Sequence, residues 1–187
     1  MMKGLFFEFI YLLFRGLKKA FRVSHIYVAK KNGLIVGEDT LLIGSQDFGS
    51  EPFLIEIGRK CLVTDCFSFV THDCSIQVPL IEKGASVESV YSHKSTYGKI
   101  ILKDNVFLGV SAILLPNTEV GENSIVAAGA VVKGKFPKNS VLAGNPAKII
   151  CTIDEYYNKN SKYILQFSSG INRKDQILSF LNSMRVQ

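Results

Sequence analysis

From Leu102 onward the chain repeats itself every six residues without a gap, as LKDNVF, LGVSAI, LLPNTE, VGENSI and VAAGAV. Each hexad opens on an aliphatic residue (Leu102, Leu108, Leu114, Val120, Val126), and Val132 continues the series. The fifth place is small or β-branched: Val106, Ala112, Thr118, Ser124, Ala130. The same beat runs through IGRKCL from Ile57 and VTDCFS from Val63, and more faintly through VGEDTL from Val36. A period of six suits neither an amphipathic helix nor an alternating strand. It suits a chain that turns a corner every six residues, so that three hexads close one triangular coil. The aliphatic side chain then points inward and stacks on its equivalent one rung away, about 4.8 Å distant. Small residues fit the tight interior near the corners, and polar residues and glycine in mid-hexad supply the turns. A run of short strands in an ordinary sandwich would not require five ungapped matches.

These hexads, with the segment FGSEPFLIEIG (Phe48–Gly58) and the closing string AGNPAKII (Ala143–Ile150), resemble the hexapeptide-repeat acyltransferases. Within that superfamily the layout is most similar to sugar and capsular polysaccharide O-acetyltransferases. The resemblance covers roughly residues 36–150 and implies an all-β fold, a left-handed parallel β-helix. It also implies a homotrimer with the active site at the groove between subunits, acetyl-coenzyme A as donor, and no metal.

The rhythm stops between Cys74 and Gly98, where CSIQVPLIEKGASVESVYSHKSTYG reads as a loop thrown out from the coil. Long loops on rigid scaffolds commonly carry function. After Ile150 the beat ends, and DEYYNKNSKYILQF followed by KDQILSFLNSM predicts one or two C-terminal helices, with Asp175 as an early-turn charge. The expected organisation is a basic helical segment over 1–31, a β-helix over 32–150 with its loop at 74–98, and a helical extension over 151–187.

The net charge of +6 is a property of one end, because residues 1–31 hold seven basic side chains against Glu8 alone and the remainder balances. That argues against a nucleic-acid-binding body, which needs a basic stripe on the folded domain. Residues 5–22 plot as an amphipathic helix, with Phe6, Phe9, Ile10, Leu13, Leu17 and Phe21 on one face and Arg15, Lys18, Lys19 and Arg22 on the other. The apolar run is far shorter than the roughly 20 residues that span a bilayer. Two readings stand for this helix: peripheral contact with an anionic membrane surface, or packing within the chain's own trimer. The four cysteines show neither a CxxC pair nor zinc-finger spacing. With no cleavage pattern after the apolar start, the expectation is a reducing cytoplasm, with contact at the inner face of the membrane if the helix binds there.

Acetyl transfer to a hydroxyl needs a base for the alcohol's proton and stabilisation of charge on the attacked carbonyl. Three histidines are present: His25, His72 and His93. His72 sits in FVTHD, at the end of a coil and just before the loop. The resemblance makes it the general base; the alternative is a surface histidine in a turn. Asp73 either orients the ring or forms a turn. His93, in the loop, reaches the acceptor or nothing, and His25 is expected to be a solvated surface residue. Cys74, two residues from His72, is weighed as a covalent nucleophile and set aside, because a thioester donor needs no covalent relay.

The resemblance assigns the donor to Gly109, Val110, Ala128 and Gly129, where small residues let a backbone approach the pantetheine arm, and to Lys148 as a point charge toward the phosphates, the alternative being a solvated surface lysine. Small residues that merely fit tight corners explain the same pattern. The family's V-T-K-D at the end of the last coil is here Val132-Lys133-Gly134-Lys135, which leaves open whether Lys133 or Lys135 meets the coenzyme's phosphates. For the carbohydrate acceptor the candidates are Ser50, Glu51, Phe53, Asp73, His93, Tyr91 and Tyr97. Transfer to a sugar amine and a non-catalytic structural β-helix are the alternative functions. A carbonic-anhydrase-like zinc enzyme would need histidine ligands close in one chain, and no such pair exists.

Overall fold

The computed structural model describes the backbone of residues 2–184 and the side chains of residues 10–91 and 94–184. Strands of two or three residues alternate with corners and pair in parallel to form three walls. The first wall stacks Ile35–Val36, Ile55–Ile57, Ile100–Leu102, Thr118–Val120 and Lys135–Phe136. The second stacks Leu41–Leu42, Leu62–Val63, Val106–Leu108, Ser124–Val126 and Ser140–Gly144, closed by the antiparallel strand Ala147–Thr152. The third stacks Gln46–Asp47, Phe67–Phe69, Ile113–Leu114 and Val131–Val132. This is the left-handed parallel β-helix, and the hexads set its register. Val106 lies opposite Ser124, Ile100 opposite Thr118 and Ile113 opposite Val131, each 18 residues apart.

The hexad openings are the core. Leu102, Leu108, Leu114, Val120, Val126 and Val132 are each no more than 1% exposed, and the fifth-place residues are buried with them. Thr118 and Ser124 tolerate that burial because their hydroxyls donate to the corner carbonyls of Leu115 and Glu122. The fourth place carries the turn. Asp39, Lys60, Cys66, Asn105, Ser111, Asn117, Asn123 and Gly129 all have positive φ, a region that Asn, Asp and Gly enter most cheaply. Gly109, in the second place, has a different cause: a Cβ there would lie 2.4 Å from the Ala128 backbone nitrogen.

Three departures from the 18-residue coil shape the molecule. The first two coils run at 21, so that Ile35 faces Glu56, Leu41 faces Leu62 and Gln46 faces Phe67. Across the loop the spacing is 45, as between Ile55 and Ile100. The last turn is two residues short, placing Glu119 opposite Lys135. The loop is not irregular throughout: it folds into two short helices, α2 (Gln77–Glu82) and α3 (Val87–His93), after a helix at the start of the chain, α1 (Met2–Lys31). Ser86 caps α3 by accepting from Ser89 N–H, and Val90 is fully buried.

Helix α1 packs only its last turns on the coil. Ala29 is 4% exposed, Ile26 touches the core, and Phe48, Phe67 and Phe69 fill the end of the prism beside them. Earlier in the helix Leu13, Leu17 and Phe21 are more than half exposed, while Arg15, Lys18 and Arg22 turn toward the corner at Gly44–Ser45. The side chains of residues 5–9 lie outside the described residues. Among the described residues no helix is long and apolar enough to cross a membrane. A second compact unit begins after Ile153 and holds α4 (Ile153–Asn160, whose first residue closes the first unit) and α5 (Arg173–Met184). There Asn172 accepts from Lys174 N–H, and Asp175 sits in the first turn of α5.

Candidate active site

The corner between the third and first walls carries the histidine. At one level the chain leaves Gln46–Asp47 and passes Gly49, Ser50 and Glu51 into a 3₁₀ turn at Pro52–Leu54. One level on it leaves Phe67–Phe69 and reaches Thr71, His72 and the loop. His72 and Asp73 pair antiparallel with Tyr97 and Thr96, a two-rung ladder that ties the base of the loop shut. The His72 ring lies 5.8 Å from the Tyr97 ring, centre to centre.

His72 Nδ1 is 2.9 Å from Glu51 Oε2, and the same oxygen accepts from the Thr71 hydroxyl at 2.6 Å. The Glu51 carboxylate is 17% exposed and Thr71 is buried. Burial by itself pushes the Glu51 carboxyl upward; the hydrogen bonds from Thr71, His72 and Ser50 outweigh it and hold the group below its ordinary value. An ionised Glu51 accepts only, so Nδ1 carries the proton and Nε2 keeps its lone pair. The imidazole, 35% exposed, is therefore oriented by a fixed carboxylate with its basic nitrogen free.

The carboxylate on the ring is thus Glu51, which the sequence had suggested as an acceptor contact. The neighbour Asp73 does something else: it accepts from Ser75 N–H and caps the turn after it. That bond first, and among smaller causes the charge of Lys133, lowers the Asp73 carboxyl. Cys74 is exposed, with Sγ 3.2 Å from Ser95 Oγ. Phe53 and Tyr97 are exposed at this corner, at 61% and 57%. The side chain of His93 lies outside the described residues.

His25 is not the solvated residue the sequence suggested. Its ring lies 5.6 Å from Phe48 and 6.1 Å from Phe21, because α1 rests on the first coil there. On that flank of α1 a cavity of about 450 Å³ opens between His25, Asn32 and Val28 on one side and Phe48, Ser50 and Pro52 on the other. Sequence reasoning missed these helix residues. The signal was the short distance in sequence between the end of α1 and the first coil.

The donor candidates lie on a different edge, the corner between the second and third walls. Gly109 and Val110 sit there, then Ala128 and Gly129 one level on, with Gly129 N–H bonded to Val110 C=O. Val110, Ala128 and Gly129 are exposed, and a Cβ on Gly129 would meet nothing within 4 Å. The hairpin Gly144–Ala147 closes the same edge, with Lys148 exposed beside it. One wall separates this edge from His72, about five residue rises or roughly 16 Å. Lys133 belongs to the His72 corner. Lys135 is drawn onto the first wall, where it pairs with Glu119 at 3.8 Å. Among the described residues no three His, Cys, Asp or Glu side chains converge as a metal site would require.

Comparison with known proteins follows the same lines. Residues 99–134 match the bacterial transferase hexapeptide (six repeats). Protein CapG of Staphylococcus aureus is 32% identical over 161 residues, spanning 83% of this chain and 87% of that protein. Among solved structures, the maltose O-acetyltransferase of Clostridium difficile 630 superposes with a TM-score of 0.50 at 18% identity, over 74% of this chain and 83% of that one. A hexapeptide-repeat acetyltransferase from Vibrio cholerae, solved in complex with acetyl coenzyme A, gives 0.50 at 16% identity over 70% and 76%. This chain belongs to the bacterial hexapeptide-repeat acyltransferases.

Proposed function

We propose that the protein transfers an acetyl group from acetyl-coenzyme A to a hydroxyl of a saccharide. His72 is the general base and Glu51 the carboxylate that orients it. Nε2 takes the acceptor's proton as the hydroxyl oxygen bonds to the thioester carbonyl carbon; the carbon–sulfur bond breaks and the thiolate leaves. Glu51 keeps the proton on Nδ1 and offsets the charge that the imidazole acquires. The observation that carries this reading is the 2.9 Å pair between Glu51 and His72, which leaves one basic nitrogen unused.

The donor lies along the edge of Val110, Ala128 and Gly129, with Lys148 toward its phosphates. Because that edge and His72 are a wall apart, a working site takes the histidine from one copy and the donor edge from its neighbour. A trimer provides this arrangement three times over. The cavity beside Ser50 receives the acceptor, its volume falling within the range of small-ligand sites. Phe21 offers a ring face to a sugar, and Asn32, Ser50 and His25 offer polar groups. The exposed apolar side chains of α1, next to its four cations, suit a helix lying at an anionic membrane surface. The test is acetyl-coenzyme A turnover against candidate saccharides by the wild type and His72→Ala. Loss of turnover with coenzyme binding retained supports the assignment, and undiminished turnover removes it.

A further inference from the structure

Helix α1 is oriented the wrong way round for a helix that only covers a core. Leu13 and Leu17 look away from the body at 51% and 57% exposure. The cations Arg15, Lys18, Lys19 and Arg22 instead line a cleft of about 360 Å³ against the second-to-third-wall corner. At i, i+3, i+4 and i+7 they crowd like charges on one stripe, which destabilises a helix unless something of opposite sign is present. None of the four has an ion-pair partner among the described residues. Among the described residues the carboxylate lining the cleft is Asp65, which is held first by the N–H groups of Ser45 and Cys66 at 2.6 and 2.8 Å and feels the charge of Lys18 only as a smaller influence. The cleft lies at the end of the same edge that carries Val110, Ala128 and Gly129 further along.

We propose that this cleft is a binding site for a phosphate or diphosphate group, gripped by Lys18 and Arg22 with Arg15 and Lys19 around them. The inference rests on the acyltransferase reading in one respect: it makes the acceptor a phosphate-bearing saccharide. A compact multiply charged anion suits four converging cations, and the Arg22 guanidinium and the lysine ammoniums bind phosphate oxygens in complementary ways, one as a fork and the other as point charges. The phosphate comes either from a soluble molecule or from a lipid headgroup, to which the outward apolar face of α1 would add contact.

The experiment titrates the full-length protein with inorganic pyrophosphate and, separately, with phosphatidylglycerol vesicles. It compares the wild type with Lys18→Gln/Arg22→Gln, using circular dichroism and coenzyme A binding to show that the variant is folded. The expected result is pyrophosphate binding that weakens about tenfold or more in the variant and falls as salt rises. A soluble source predicts that pyrophosphate binds without affecting vesicles, and a lipid source predicts that pyrophosphate displaces them; either supports the site. If the folded variant binds both probes as the wild type does, or if the wild type binds neither, the proposal is overturned. His72→Ala should bind pyrophosphate normally, so failure of the cleft and failure of the catalytic reading are separable.

Discussion

The two edges of the prism to which the base and the donor are here assigned by proposal are made in opposite ways. The edge of Val110, Ala128 and Gly129 is a product of the repeat: small residues recur because the coils need them, and Gly109 is small because the next backbone passes where its Cβ would be. The edge of His72 exists where the repeat is broken, by three extra residues in the early coils and by the long loop after Asp73. A repeat gives a straight, featureless rail, suited to an extended ligand held through backbone. An interruption brings together side chains that the repeat would keep apart, and there Thr71, His72 and Glu51 meet.

That contrast predicts unequal consequences of mutation. On the interrupted edge His72→Ala should lower kcat by about 10²- to 10⁴-fold with the coenzyme dissociation constant unchanged, measured by steady-state turnover and calorimetry. Glu51→Gln should cost less, about 10- to 100-fold in kcat, because the base remains but its tautomer and orientation are no longer held. Its signature is a shifted pH–rate profile, which a purely structural role would not produce. On the repeated edge Ala128→Arg should raise KM for the donor about tenfold with little change in kcat, since it obstructs binding and leaves the proton transfer alone. Gly109→Ala should lower stability by about 1–3 kcal/mol in denaturant melts, through the clash with the Ala128 backbone.

The smallest effect concerns pH. Because the folded state depresses the Glu51 carboxyl, its contribution to stability is complete above the ordinary glutamate value of about 4.3 and is lost as pH falls through the depressed one. Acid melts should therefore show Glu51→Gln losing less stability than the wild type on acidification. An equal loss in both would mean the carboxylate is not held in solution as it is here.

Much of this was legible in the residues. The hexads fixed wall, register and core because a six-residue period has one common geometric solution, and every opening aliphatic lies where that solution puts it. The helices α2 and α3 were not legible: Val87–His93 has seven residues and gains its order from Val90, buried by contacts no local pattern announces. The pairing of Glu51 with His72 was not read either, though its signal was present. The early coils repeat at 21 residues, and Glu51 precedes His72 by that same interval. Asp73 drew attention as the nearer carboxylate, whereas neighbours along a strand point to opposite faces. The reversed orientation of α1 was beyond the helical periodicity, which separates two faces without saying which meets the body.

The claim on which the rest depends is that a site joins the His72 edge of one copy to the donor edge of another. Mixed oligomers made from equal amounts of His72→Ala, which lacks the base, and Ala128→Arg test it, assayed at donor concentrations far below KM, where Ala128→Arg alone turns over at about a tenth of the wild-type rate. Random assembly should restore about a quarter of wild-type turnover, because one in four such junctions pairs an intact histidine with an intact donor edge. Verified mixed oligomers with no recovered turnover would contradict it.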